Sequence, residues 1–133
     1  MNRINFLSKI PASLHTDRKR LLALLEEGLA KFEIINKIIE IKFVSEDEIQ
    51  VLNKTYRNLD KPTDILSFPQ SPAPGKYQIL GTLVISDHSV IRKNESIEEV
   101  VKHGLLHLMG FDHDDPKKER DWEEAALIIN CQL

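Results

Sequence analysis

Cysteine is almost absent from this chain: Cys131 is the only one in 133 residues. A single thiol can form neither an intrachain disulfide nor a thiolate metal cluster. Small secreted domains commonly depend on disulfides, so this scarcity favours a reducing compartment. The first twenty residues also lack the continuous apolar segment of a secretory signal. We therefore expect a cytoplasmic protein.

Long apolar runs are also missing. No stretch approaches the roughly 20 apolar residues that cross a bilayer, so we expect no membrane partner. Hydrophobic residues make up 41% of the chain and charged residues 29%, which is typical of a soluble domain. The length suits one domain with one core. We predict a single domain over residues 1–133.

An excess of positive charge is absent as well. The chain has 18 Lys and Arg against 21 Asp and Glu, a net charge of −3. Proteins that coat nucleic acid usually carry a strongly basic surface, so the total charge argues against that class. A local basic surface remains compatible with this total. Net charge therefore does not decide the partner.

Histidine, in contrast, is concentrated in the segment HGLLHLMGFDH, residues 103–113, which holds three of the five histidines. His103 and His107 are four residues apart, which places them on one face of an α-helix. Gly110 is suited to end that helix, and His113 follows the turn. Three imidazole nitrogens that leave a fourth tetrahedral position open are typical of a catalytic zinc site. We predict one zinc ion per chain at these histidines, and we interpret His88 as a surface residue.

Position 104 distinguishes this segment from a protease. The spacing H-x-x-x-H-x-x-G-x-x-H is that of the metzincin metalloproteases, in which a glutamate after the first histidine is the general base. This chain has Gly104 at that position. Glycine inside a helix costs about 1 kcal/mol relative to alanine. We expect that a neighbouring backbone packs closely there, or that room is needed beside the metal.

Apolar periodicity and capping residues predict the other elements. Ser45 and Ser96 each stand three residues before a glutamate, the pattern of a capping box at a helix start. Asp115 followed by Pro116 predicts the cap and first position of the last helix. The predicted helices cover residues 17–32, 46–58, 87–93, 97–109 and 116–129, and the predicted strands cover residues 4–7, 39–44, 65–68 and 78–86.

The order of these elements predicts an α+β fold. Strands 65–68 and 78–86 should form an antiparallel hairpin around a proline-rich surface loop at residues 69–76. Pro62 and Pro69 bracket the first of them, which suits an edge strand. The other connections are crossovers, so the sheet should be mixed. We predict one small mixed sheet of about four strands, covered by about five helices that include a zincin-like metal helix.

HGLLHLMGFDH resembles the H-G-x-x-H-L-x-G-x-D-H signature of the YbeY family of bacterial metallo-endoribonucleases. LNKTYRNLDKPTDILSFP, residues 52–69, is similar to the family's L-N-x-x-Y-R and P-T-D-V-L-S-F-P segments. The resemblance covers about residues 41–113. It implies a zinc-dependent endoribonuclease for single-stranded RNA that acts in ribosomal RNA maturation, at the 16S 3′ end, and in ribosome quality control. Small-subunit ribosomal RNA, the ribosome and assembly proteins are the implied partners.

The resemblance also implies catalytic roles for His103, His107, His113 and Arg57. Position alone would explain Arg57 as a cation that compensates the dipole at the end of its helix. In the active site, a guanidinium and zinc would stabilise charge that develops on the phosphate. The family usually has an acidic residue where this chain has Thr82, so no role of that acid is carried over.

Two other functions stay open at this point. A zinc peptidase or amidohydrolase would need a carboxylate base, which Gly104 does not supply. A ribosome-assembly factor with a mainly structural zinc agrees with the acidic net charge. Asp112, Asp114 and Asp115 either orient the histidine rings or serve as turn and cap residues.

Overall fold

A computed structural model describes residues 1–70 and 78–132 of the chain. Over these residues it has the predicted α+β architecture of one four-stranded sheet and five helices. The strands are β1 (Arg3–Phe6), β2 (Lys37–Phe43), β3 (Ile65–Pro69) and β4 (Gln78–Ile85), and the helices are α1 (Arg18–Lys31), α2 (Glu46–Arg57), α3 (Asp87–Arg92), α4 (Ile97–Leu108) and α5 (Glu119–Ile128). None of these helices is both long and apolar enough to cross a membrane.

The sheet is mixed, with strand order β1-β2-β4-β3. β1, β2 and β4 run parallel, and β3 pairs antiparallel with β4 from Ile65 opposite Ile85 to Pro69 opposite Gly81. The predicted hairpin and the predicted edge position of β3 are therefore confirmed. Residues 71–76 of the predicted proline-rich loop lie outside the described part of the chain.

The two faces of the sheet bury different helices. Alternate residues of a strand point to opposite faces, and Ile65, Leu83 and Ile85 face the main core with α1 and α4. Leu66 and Val84 face the other way, into a smaller cluster with Ile49 of α2. Each fully buried leucine or isoleucine contributes about 1.5–3 kcal/mol relative to exposure. The chain thus places α2 and α4 on opposite faces, both beside the edge strand β3.

Side-chain caps start α1, α2 and α3, and the cap at Ser45 is as predicted. Ser45 Oγ accepts a hydrogen bond from the Glu48 N–H at 3.2 Å, and Asp17 Oδ1 accepts one from the Arg20 N–H at 2.8 Å. Both satisfy amide groups that the first turn leaves without partners. The capping box predicted at Ser96 is wrong, because the Ser96 hydroxyl donates to Glu98 while Glu99 accepts from the Gln132 N–H.

The predicted start of the last helix is also wrong. α5 begins at Glu119 and not at Pro116. The Asp115 carboxylate accepts from the Lys117 N–H at 3.0 Å, and its carbonyl accepts from the Lys118 N–H at 2.9 Å. These bonds close a turn with Pro116 at its second position, where the fixed φ of proline is equally favourable. The aspartate and proline therefore form a turn before the helix.

Candidate metal centre

Helix α4 carries His103 and His107 on the border of its buried surface. An apolar stripe of α4 faces the sheet and α1, and its residues Val100, Val101 and Leu105 are fully buried. Leu106 is also fully buried, but it faces a separate cluster formed with α5. Since both flanks of the helix are packed, the half-buried His103 and His107 project from a fixed backbone.

A tight turn after α4 brings the third histidine back to the first two. Gly110 has φ +94°, a left-handed conformation that glycine adopts without a steric penalty. Its N–H donates to the His107 carbonyl, and the Phe111 N–H donates to the Leu106 carbonyl, each at 3.0 Å. This pair of bonds is a Schellman motif, and Phe111 packs against the Leu106 cluster, as that motif favours. The helix end predicted at Gly110 is confirmed.

The three imidazoles converge on one point. Nε2 of His103 lies 3.2 Å from Nε2 of His107 and 3.3 Å from Nε2 of His113. One ring nitrogen from each of the three lies within 4.8 Å of the other two. Tetrahedral zinc with bonds of about 2.0–2.1 Å separates two ligand nitrogens by about 3.3–3.4 Å. The donor set and its spacing therefore fit such an ion.

The outward-facing nitrogens of the rings have different partners. His113 Nδ1 lies 3.0 Å from Asp114 Oδ1, and the Phe111 backbone lies beside the His107 ring and acts to raise its pKa. His103 Nδ1 is buried and has no hydrogen-bond partner among the described residues. Of the three aspartates considered from the sequence, Asp114 alone contacts a ring. The other two accept backbone N–H groups within turns, Asp112 from Asp114 and Asp115 from Lys117.

The environment keeps the two helical rings neutral. Burial lowers the pKa of His103 to about 4, and the neighbouring His107 and His113 rings act in the same direction. Burial also lowers the pKa of His107, with a further contribution from His113. A neutral imidazole has the free lone pair that a metal ion needs. At neutral pH the site therefore presents electron-pair donors.

Trp122 of α5 is a site residue that the sequence did not predict. Its ring centroid lies 5.0 Å from those of His103 and His107 and 4.7 Å from that of His113. A signal was present, since Trp122, Ala125, Ala126 and Ile129 follow a helical apolar spacing and all four are buried. That spacing predicts a packed helix but not the element against which it packs.

Gly104 faces the sheet. A Cβ at this position would lie 2.6 Å from Ile65 Cδ1, 2.8 Å from Leu83 Cδ2 and 3.3 Å from Ser67 Oγ. The Ser67 hydroxyl also donates to the Gly104 carbonyl at 3.3 Å. The close neighbours are therefore side chains of β3 and β4, and not the neighbouring backbone considered from the sequence.

Arg57 ends α2, on the face of the sheet opposite α4. Its side chain is exposed and makes no hydrogen bond or ion pair with the described residues. The preceding Tyr56 packs edge-on against Phe68 of β3, with ring centroids 5.1 Å apart. Arg57 on α2 and His103 and His107 on α4 thus lie on two helices that both border β3. A catalytic role for Arg57 stays a prediction. His88 is a surface residue, as predicted, with 72% of its side chain exposed.

Comparison with known proteins places these features in a described family. The profile of the family described as Endoribonuclease YbeY matches residues 5–129. A protein named Endoribonuclease YbeY from Aliarcobacter butzleri is 45% identical over 108 residues, which are 75% of this chain and 77% of the relative. The protein of that name from Sulfurihydrogenibium sp. is 36% identical over 98% of this chain and 88% of its own length.

A solved structure has the same fold. A protein of Thermotoga maritima, determined in solution, superposes with a TM-score of 0.56 and 31% sequence identity. The match covers 98% of this chain and 87% of the Thermotoga chain. The similarity therefore extends over nearly all of the sequence, well beyond the histidine segment.

Proposed function

Because this chain belongs to the YbeY endoribonuclease family, we propose that it is a metal-dependent endoribonuclease for single-stranded RNA. The observation that carries this proposal is the convergence of His103, His107 and His113 through nitrogens 3.2–3.3 Å apart. The substrate is small-subunit ribosomal RNA, and the reaction belongs to maturation of its 3′ end and to ribosome quality control.

One zinc ion at the three histidines is the proposed cofactor. A donor set of three imidazole nitrogens suits zinc, which binds imidazole well and accepts four-coordinate geometry. When bound, zinc supplies a Lewis acid that polarises a phosphoryl oxygen and lowers the pKa of water to about 7. The chain's own part is to keep the His103 and His107 rings neutral by burial and to place Asp114 beside His113 and the Phe111 backbone beside His107.

Arg57 is proposed to bind the phosphate that is cleaved. Its guanidinium is exposed and has no partner among the described residues, so it is free to accept one. A planar fork of N–H donors matches the oxygens of a phosphodiester and stabilises the charge that develops in the transition state. Asn53, buried in α2, donates to the Lys61 carbonyl at 2.9 Å and so fixes the chain that follows Arg57.

The peptidase alternative is disfavoured by the surroundings of Gly104. The glutamate of a metzincin would begin at a Cβ that meets Ile65, Leu83 and Ser67. A carboxylate could not enter this contact without displacing core side chains. The described site therefore lacks both the protease base and the space for it.

The direct test uses purified protein and a labelled single-stranded RNA, with the same sequence in a duplex as the control. We expect cleavage of the single strand, loss of cleavage with a chelator, and recovery on addition of zinc. The His103→Ala/His107→Ala variant should be inactive under all conditions. Digestion of casein would instead favour the peptidase. Zinc binding without RNA cleavage would favour an assembly factor with a structural metal.

The proposed partners and location need a cellular test. We propose that the protein acts in the cytoplasm on small ribosomal subunits and contacts assembly proteins there. The lone Cys131 agrees with a reducing compartment. A tagged chain should sediment with small-subunit particles, and its loss should leave precursor RNA with an extended 3′ end. Exclusive recovery away from ribosomal particles would contradict this placement.

A further inference from the structure

The single tryptophan of the chain lies against all three candidate ligands. The centroids of the histidine rings are 4.9–5.1 Å apart, and the Trp122 centroid is 4.7–5.0 Å from each. Because the Trp122 centroid is nearly equidistant from the three histidine centroids, it lies close to the line that passes perpendicularly through the centre of the triangle they form. The indole therefore closes one side of the trio and contacts every ring.

Burial identifies that side as the interior one. Trp122 is only 6% exposed and packs with Leu106, Ala125, Ala126 and Ile129, whereas His113 has 36% of its side chain exposed. The solvent-facing side of the trio is thus left to the substrate. The cluster also connects α5 to α4, so the indole is held by both helices.

Hydrogen bonding does not explain the orientation of His103. His113 Nδ1 lies 3.0 Å from Asp114 Oδ1 and the His107 ring neighbours the Phe111 backbone, but His103 Nδ1 is buried without a hydrogen-bond partner among the described residues. His103 and Trp122 meet at an interplanar angle of 65°, an edge-to-face arrangement that aromatic rings favour. Packing against the indole is therefore what orients this ring.

We propose that Trp122 is a positioning residue of the metal centre, which holds the three imidazoles with their Nε2 atoms facing one another before a metal ion binds. This inference rests on the proposed metal site. Groups that orient metal ligands typically change metal affinity by about 10–100-fold when they are removed. Since Trp122 makes no contact that an incoming RNA would require, its effect should appear in metal affinity and not in RNA binding.

The first test compares Trp122→Leu and Trp122→Phe with Phe43→Leu. Phe43 is buried in β2, separated from β3 by β4, and serves as a control for the general loss of an aromatic core residue. Zinc affinity is measured by competition with a chromogenic chelator, well below the unfolding temperature of each variant. Melting of the metal-free proteins reports stability separately.

We expect Trp122→Leu to weaken zinc binding about tenfold or more, with partial rescue in Trp122→Phe, which keeps a flat ring. Phe43→Leu should lower the melting temperature and leave zinc affinity unchanged. Parental affinity in Trp122→Leu, or an equal loss in Phe43→Leu, would overturn the proposal while leaving the metal site intact. A parent that binds no zinc would overturn the metal site itself.

The second test needs no substitution at Trp122 and so does not depend on how that variant folds. Tryptophan fluorescence of the unaltered chain, excited selectively over its tyrosines, comes from Trp122 alone. Added Co²⁺ should quench this emission until one equivalent is bound, and the His103→Ala/His107→Ala variant should show no such step. If Co²⁺ binds stoichiometrically and the emission does not change, the indole is not beside the ligands and the proposal is wrong.

Discussion

Replacing Gly104 with glutamate restores the metzincin sequence, and we expect it to impair this protein without producing a peptidase. The new Cβ would lie 2.6 Å from Ile65 Cδ1 and 2.8 Å from Leu83 Cδ2. Both side chains are in the main core, with exposures of 8% and 0%. The glutamate side chain would therefore begin inside the contact between α4 and the sheet.

The expected change in the free energy of unfolding is the balance between a gain in helix propensity and the costs of overpacking and of charge burial. Alanine at position 104 gains about 1 kcal/mol of helix propensity, and overpacking of a core costs about 1–3 kcal/mol. Because both close contacts are to the ends of flexible side chains, the lower part of that range applies, and Gly104→Ala should lose at most about 1 kcal/mol. Glutamate adds the burial of an unpaired carboxylate, so we expect a loss of about 3 kcal/mol or more. In a domain of this size that lowers Tm by roughly 10 °C.

The assay measures Tm, RNA cleavage and casein digestion for Gly104→Glu, Gly104→Ala and Gly28→Ala. Gly28 is the matched control, since a Cβ there would lie 2.6 Å from Leu105 Cδ2 in the contact between α1 and α4. The two alanine variants should have similar stability. Casein digestion by Gly104→Glu, or a parental Tm together with a parental cleavage rate, would refute this reasoning.

Three further outcomes are expected. Zinc at 100 times its Kd should stabilise the parent by about 2.7 kcal/mol, and a His103→Ala variant should show no zinc-dependent rise in Tm. Arg57→Lys should lower the rate of RNA cleavage about tenfold or more, because a point charge does not replace a planar fork of donors. Its Tm and zinc affinity should be unchanged, and full activity would exclude the proposed role. Burial and the adjacent Asp64 carboxyl raise the pKa of Glu95 from 4.5 to about 7, so its contribution to stability is full below pH 4.5 and is lost as the pH rises through 7. Glu95→Gln should therefore lose less Tm than the parent between pH 5 and pH 8, and parallel curves would contradict this assignment.

Local sequence predicted those features that depend on local chemistry. Ser45 caps α2 with its hydroxyl, which accepts from the Glu48 N–H. The two groups are only three residues apart, so local backbone geometry brings them together. The spacing of His103, His107 and Gly110 determines which helix face holds the ligands and where the chain turns back. The β3–β4 hairpin followed from two strand patterns separated by a short loop.

Features that depend on tertiary contacts were missed. The position of Trp122 against the histidines depends on how α5 packs on α4, and no local spacing encodes that contact. The neighbours of Gly104 come from β3 and β4, which lie about 20 to 40 residues earlier in the chain. The capping box predicted at Ser96 failed for the same reason. Its expected partner Glu99 accepts instead from the N–H of Gln132, near the C-terminus.

The Schellman turn at Gly110 connects metal occupancy to the fraying of α4. His107 lies in the last helical turn and His113 beyond the glycine, so an ion held by both spans the bonds that close that turn. Opening of the helix end would then require release of a ligand, and local unfolding and metal dissociation become one event. Hydrogen exchange at the Phe111 amide, which is bonded to the Leu106 carbonyl, should slow in proportion to zinc saturation. One amide can therefore report how long the metal stays bound.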